Sequence, residues 1–192
     1  MPLKKHTIKI GNMCCARCIV AVKEVFNRSG IRYKRVELGS AVIAGPIGAK
    51  IKILEAGLKK AGFEIIISKE DDLTEKIKIA IHKIFFDAKL HDLNGFELKK
   101  YLEQQIGLPY KKLSEVFSKH KHQTIEKLFI LHRIEKVKEL IDEGASSFSE
   151  IAFKLGYNSL SHLSRQFRAE QGVSMQQYRS TPKNSRKFID RL

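Results

Sequence analysis

All three cysteines of the chain, Cys14, Cys15 and Cys18, fall within five positions of the stretch GNMCCARC. A thiol sulfur is both a soft ligand and a nucleophile. So dense a cluster serves as a metal clamp, as a redox pair, or as small apolar filler. Cys15-Ala-Arg-Cys18 follows an alternating run, HTIKIGN, that suits a strand, and it opens a helical run from Ala16 to Asn27. A thiol at a helix N-terminus faces orphan amides and the positive end of the dipole, both of which favour the thiolate. That suits redox exchange or a soft metal. Cys14 admits two readings. It is a third ligand, since two thiolates suit near-linear Cu(I) and three suit trigonal soft ions, or it is a spacer that points away, because neighbours in an extended loop face opposite sides.

The elements that position this loop are legible from periodicity. Ile8 and Ile10 share one face of the first strand, and Ile19, Val22, Val25 and Phe26 recur at helical spacing until Gly30. RYKRVELG alternates, with Tyr33 and Val36 inward, and SAVIAG is a short apolar partner for it. Ile51, Leu54 and Leu58 mark a second helix ending at Gly62, and FEIII supplies a last strand. Strand, helix, strand, strand, helix, strand is the α+β, ferredoxin-like βαββαβ order. SKEDDLTEK then breaks the pattern, and Asp72 followed by Glu75 resembles a helix-capping pair. Everything beyond reads helical, including a long run at 124–143 that ends at Gly144. The expected domains are 1–69 and 70–192, the second of them all-α.

In that second domain FSEIAFKLGYNSLSHLSRQF (148–167) reads as two short helices about a tight turn. Ala152 is small enough for the helices to cross closely, Gly156 tolerates a left-handed turn, and Ser159 is a good N-cap. The second helix has a buried stripe, Leu163 and Phe167, and a polar face of the size that reads a major groove. About 50 residues earlier the arrangement recurs. A helix over 96–105, the turn IGLP and a helix over 110–121 repeat the pattern L-S-x-x-F at Leu113–Phe117.

On these residues, and on RIEKVKELIDEGASSFSEIAFKLGYNSLSHLSRQFRAEQGVSMQQYR in particular, residues 72–181 resemble the AraC/XylS family of bacterial transcription regulators. The resemblance implies two helix-turn-helix units joined by a linking helix, with double-stranded DNA as partner. It implies base-edge contacts from Leu160, Ser161, Ser164 and Arg165 in the second unit, and from Lys111, Ser114 and Glu115 in the first. Arg165 is the foremost of these, since arginine binds a guanine edge bidentately. Lys112, Lys119, Lys121 and Arg168 are assigned to phosphates, which set affinity and salt dependence. Glu115 departs from the basic residue common at its place in the family. His120 and His122, two apart, do not share a helix face and make no metal pair.

Residues 3–68, with Met13-x-Cys15-x-x-Cys18 and the Gly62-Phe63 pair, resemble the heavy-metal-associated domain of copper chaperones and metal-pumping ATPases. The resemblance implies Cys15 and Cys18 as thiolate ligands for Cu(I), with Zn, Cd or Hg as alternatives, and Met13 as an inward anchor. It places Phe63 beneath the loop. Two departures stand out. Asn12 intervenes between Gly11 and Met13, and Cys14 replaces the usual threonine or aspartate.

The bulk properties narrow the function. A formal net charge of +15 calls for an anionic partner. The surplus is spread along the chain, with 14 basic against 5 acidic residues in 1–70 and 22 against 16 in 71–192. No apolar run reaches the length of a spanning helix and no signal peptide is evident, so a cytoplasmic protein with no membrane partner is expected. No catalytic constellation is found, and an enzyme is not expected. The expected function is a metal-responsive, sequence-specific transcription regulator acting as a monomer. The alternatives are an N-terminal domain that docks a metal chaperone, drawn by its basic surplus, or a thiol-redox switch.

Overall fold

A computed structural model describes residues 5–45, 48–66, 69–86, 93–144 and 147–180. Alternation and helical spacing in the first part become β1 (Lys5–Gly11), α1 (Ala16–Arg28), β2 (Tyr33–Glu37), β3 (Ser40–Ala44), α2 (Ile51–Lys60) and β4 (Glu64–Ile66). Ile67, the last residue of the expected fourth strand, lies outside the described residues. The sheet order is β2-β3-β1-β4, and every neighbouring pair is antiparallel. The strand that feeds the cysteine loop is therefore an interior one, paired on both edges.

The inward stripes of α1 and α2 cover this sheet. Val22 and Phe26, and Leu54 and Leu58, stand four residues apart on their helices and are wholly buried with Ile10. Full burial of a side chain of this size contributes about 1.5–3 kcal/mol. Gly57 lets α2 approach α1, because a Cβ there would stand 2.9 Å from Val25 Cγ1. Met13 is 1% exposed within the same core, so the loop is anchored from below immediately before its first cysteine.

The remainder is helical among the described residues: α3 (Lys69–Phe86), α4 (Leu98–Ile106), α5 (Tyr110–Lys121), α6 (Ile125–Glu143), α7 (Phe148–Lys154), α8 (Leu160–Gln171) and α9 (Met175–Ser180). The caps explain several of these bounds. Thr124 Oγ1 accepts from Lys127 N at 3.1 Å, and Ser159 Oγ accepts from His162 N at 3.1 Å. Ser147 and Glu150 form a reciprocal capping box that starts α7.

The expected cap at Asp72 is corrected. α3 is already under way at Lys69, so Asp72 and Glu75 lie along its flank. Asp72 pairs with Lys76 at 2.8 Å and with Lys9 at 3.4 Å. An acidic pair spaced by three is equally at home within a helix when basic partners are in reach, and here they are.

The chain divides into two compact units, residues 1–79 with 112–122 and residues 80–111 with 123–192. In the second, Gly156 has φ +68°, and a Cβ on it would strike the Leu93 carbonyl. Ala152 beside it is buried, as close crossing of α7 and α8 requires. Leu163 and Phe167 of α8 are wholly buried, and the Phe167 ring meets Tyr178 edge-on at 5.7 Å. Arg133 of α6 lies over the rings of Phe129 and Tyr157, at 4.5 and 4.8 Å. No helix among the described residues is long and apolar enough to cross a membrane.

Candidate functional site

The cysteine loop begins where β1 ends. Asn12 takes a left-handed backbone, φ +65°, and turns the chain so that Met13 enters the core. Cys15 is the N-cap of α1, with extended φ −148° and ψ 174°, and Cys18 sits in the first turn. Positions three and four apart share a helix side, so both preceding cysteines meet Cys18. Cys15 Sγ lies 3.7 Å and Cys14 Sγ 3.8 Å from Cys18 Sγ. All three sulfurs fall within 4.8 Å of one another, each half-buried and none in a disulfide. Cys14 thus faces its neighbours rather than away. Although Cys15 itself is extended, the alternation rule fails here because the helix that starts at Ala16 brings Cys18 back within reach of both preceding sulfurs.

The loop's electrostatics follow from this geometry. The Cys18 thiol is pulled down from 9.0 to about 5, chiefly because Cys14 donates a hydrogen bond to its sulfur; backbone hydrogen bonds at Cys14 and Cys15 add to this, while burial opposes it. The Cys14 thiol is pushed up, by that same hydrogen bond and then by burial. The contact between Cys14 and Cys18 thus favours the thiolate at Cys18 over Cys14. Three sulfurs within 4.8 Å, with Cys18 biased towards the thiolate, fit a soft metal better than a hard cation.

The residues assigned to DNA from the sequence occupy two helices. On α8, Leu160, Ser161, Ser164, Arg165 and Arg168 are all exposed, opposite the Leu163–Phe167 stripe. On α5, Lys111, Lys112, Glu115 and Lys119 are exposed and Ser114 is half-buried. Lys121 is placed differently. It continues the stripe of Leu113 and Phe117, each four residues on from the last, and its Nζ lies 3.9 Å from Glu75 Oε1. Asn12, noted only as a departure from the loop pattern, Glu75, read as half of a capping pair, and Lys78, not singled out at all, share a hydrogen-bonded cluster beside the loop. Their only signal was Asn12 itself, an extra residue where a Gly-Met pair was expected.

Residues 102–181 match the helix-turn-helix domain family. No curated protein matches the chain. Similar solved structures include the C-terminal domain of AraT, a response regulator from Geobacillus stearothermophilus. It is 22% identical with a TM-score of 0.50, covering 63% of this chain and 94% of that one. The transcriptional regulator CdpR from Pseudomonas aeruginosa is 14% identical with a TM-score of 0.45, over 74% of this chain and 46% of its own. A transcriptional regulator with an AraC-type DNA-binding domain, from Chromobacterium violaceum, is 17% identical with a TM-score of 0.40, over 43% and 73%. The first of these shows a shared fold, and the other two are too distant to carry an argument. The family match makes the C-terminal part a helix-turn-helix domain.

Proposed function

We propose that the chain is a sequence-specific, AraC-type transcription regulator whose DNA binding responds to a soft metal held by Cys14, Cys15 and Cys18. The observation that carries this reading is the convergence of three sulfurs on a strand-to-helix loop of a chain that also holds a helix-turn-helix domain. Cu(I) is the first choice of ion, with Zn, Cd or Hg as alternatives. The βαββαβ order and the β2-β3-β1-β4 sheet support a ferredoxin-like, heavy-metal-associated domain over 1–69, with the DNA-binding domain over 70–192.

On the DNA side, Arg165 is assigned to a guanine edge and the exposed Leu160 to a thymine methyl, with Ser161 and Ser164 beside them. Lys111, Ser114 and Glu115 take the corresponding places on α5. Lys112, Lys119, Lys121 and Arg168 meet phosphates. The protein acts as a cytoplasmic monomer.

A second reading, a thiol-redox switch, is favoured by the 3.7 Å between Cys15 and Cys18 sulfurs. A third use of the basic N-terminal part is to dock an acidic metal chaperone.

Two experiments test the main reading separately. Selection from a random-sequence duplex pool should return one motif, and a featureless selected pool refutes sequence-specific binding. Titration with Cu(I) should give thiolate-to-metal absorption at one ion per chain, absent from Cys15→Ser/Cys18→Ser protein. No such absorption refutes the metal reading and leaves DNA binding intact.

A further inference from the structure

Asn12 is the residue that departs from the metal-loop pattern, and its surroundings give it a use. Its backbone N–H donates to Glu75 Oε2 at 2.9 Å, and its side-chain amide donates to Gly62 O at 3.3 Å. Lys78 Nζ bridges the two residues, donating to Asn12 Oδ1 at 3.1 Å and to Glu75 Oε1 at 2.8 Å. The Glu75 side chain is only 4% exposed. A buried carboxylate is costly unless its oxygens are satisfied, so this one is held in place by what surrounds it. The same Oε1 lies 3.9 Å from Lys121 Nζ at the end of α5. One turn earlier on α3, Asp71 reaches His120 at 3.8 Å, so α3 meets the end of α5 through two acids. All of these residues belong to one compact unit.

From this we infer that Glu75 couples the cysteine loop to the first recognition helix. One buried carboxylate answers both to the backbone two residues before Cys14 and to the ammonium of Lys121. A metal captured by the sulfurs reorganises residues 14–18 and acts on the Asn12 N–H that Glu75 accepts. A phosphate approaching Lys121 competes with Glu75 for the same ammonium. Either event changes the charge balance at Glu75, and Lys78, bonded to both Glu75 and Asn12, must adjust. Coupling of this kind is reciprocal, so DNA must be felt at the loop as strongly as metal is felt at α5. The inserted Asn12 is then the loop's end of the connection. This inference rests on the reading of α5 as a DNA-contacting helix.

Reciprocity supplies a test that needs no metal. Hydrogen exchange of the Asn12 amide is measured by NMR on the full apo chain, free and saturated with a duplex recovered from the random-sequence pool. The duplex should change that rate at least threefold in the wild type. It should leave the rate unchanged within error in Glu75→Gln, which keeps the side chain's size and one acceptor, and in Lys121→Met at saturating duplex. An unchanged rate in the wild type, or an equal change in both folded variants, overturns the inference. If Cu(I) fails to bind while the duplex still alters Asn12 only in the wild type, the metal reading falls and the coupling stands. If Cu(I) binds and shifts duplex affinity equally in wild type and Glu75→Gln, the coupling falls and the metal reading stands.

Discussion

Replacing Cys14 by alanine removes the hydrogen bond that contributes most to holding the Cys18 thiol at about 5 instead of 9.0, so its titration must move upward. The magnitude at stake is large. At pH 7 a thiol titrating near 5 is about 99% thiolate, against about 1% for one at 9.0, roughly a hundredfold difference. The rate of alkylation does not rise by that factor. Intrinsic nucleophilicity falls with basicity, with a Brønsted coefficient of about 0.4–0.5, which over about four units costs roughly 40- to 100-fold. The two effects nearly cancel at neutral pH, so the informative quantity is the pH profile rather than the rate. Iodoacetamide labelling of Cys18, resolved from its neighbours by peptide mass spectrometry, should be nearly flat between about pH 6 and 8 in the wild type. An ordinary thiol climbs about tenfold per pH unit over that range. In Cys14→Ala the rising limb should move to higher pH. A wild-type profile climbing tenfold per unit across that window refutes the assignment of the thiolate to Cys18.

Other consequences are independent of the cysteines. Arg165→Ala should cost about 1–3 kcal/mol at one base pair of the selected motif and relax the preference there, read by competition among duplexes that differ at that pair. Phe167→Ala removes a wholly buried ring that packs against Tyr178, and should destabilise the fold by about 3–5 kcal/mol in urea unfolding. His82 is buried with its Nδ1 unpaired, and desolvation followed by the nearby His132 holds its pKa down from 6.5 to about 4. The folded form resists a proton that the unfolded chain accepts. Stability is therefore complete above about pH 6.5 and is lost as pH falls towards 4, by up to roughly 3 kcal/mol. His82→Leu should flatten that part of the stability–pH curve, and an unchanged curve contradicts the assignment.

Local signals were legible where their partners were local. Thr124, Ser159 and Gly144 end or start helices through groups within four residues, and each stands where the pattern put it. The sulfur loop was legible for the same reason, since its spacing is a statement about one helical turn. Cys14 was not, because its direction depends on whether residue 15 is the last of a loop or the cap of a helix. The acidic pair Asp72 and Glu75 misled for a different cause. The capping pattern is short, and the partners that override it lie far off in sequence, Glu75 receiving its hydrogen bond from a residue 63 positions away. Lys121 has a distant partner of the same kind. The resemblance implies a phosphate contact for it, and its place four residues beyond Phe117 also brings its Nζ within 3.9 Å of the Glu75 carboxylate, 46 positions away. Where chemistry depends on which distant elements meet, periodicity alone is silent.

The claim that joins the two parts of the chain is that metal on the sulfurs changes DNA affinity. Its most direct measurement is the dissociation constant for the selected duplex, by fluorescence anisotropy, with apo protein and with one equivalent of Cu(I). The account predicts at least a fivefold difference for the wild type, about 1 kcal/mol, and none for Cys15→Ser/Cys18→Ser protein. Equal constants for apo and copper-loaded wild type contradict it.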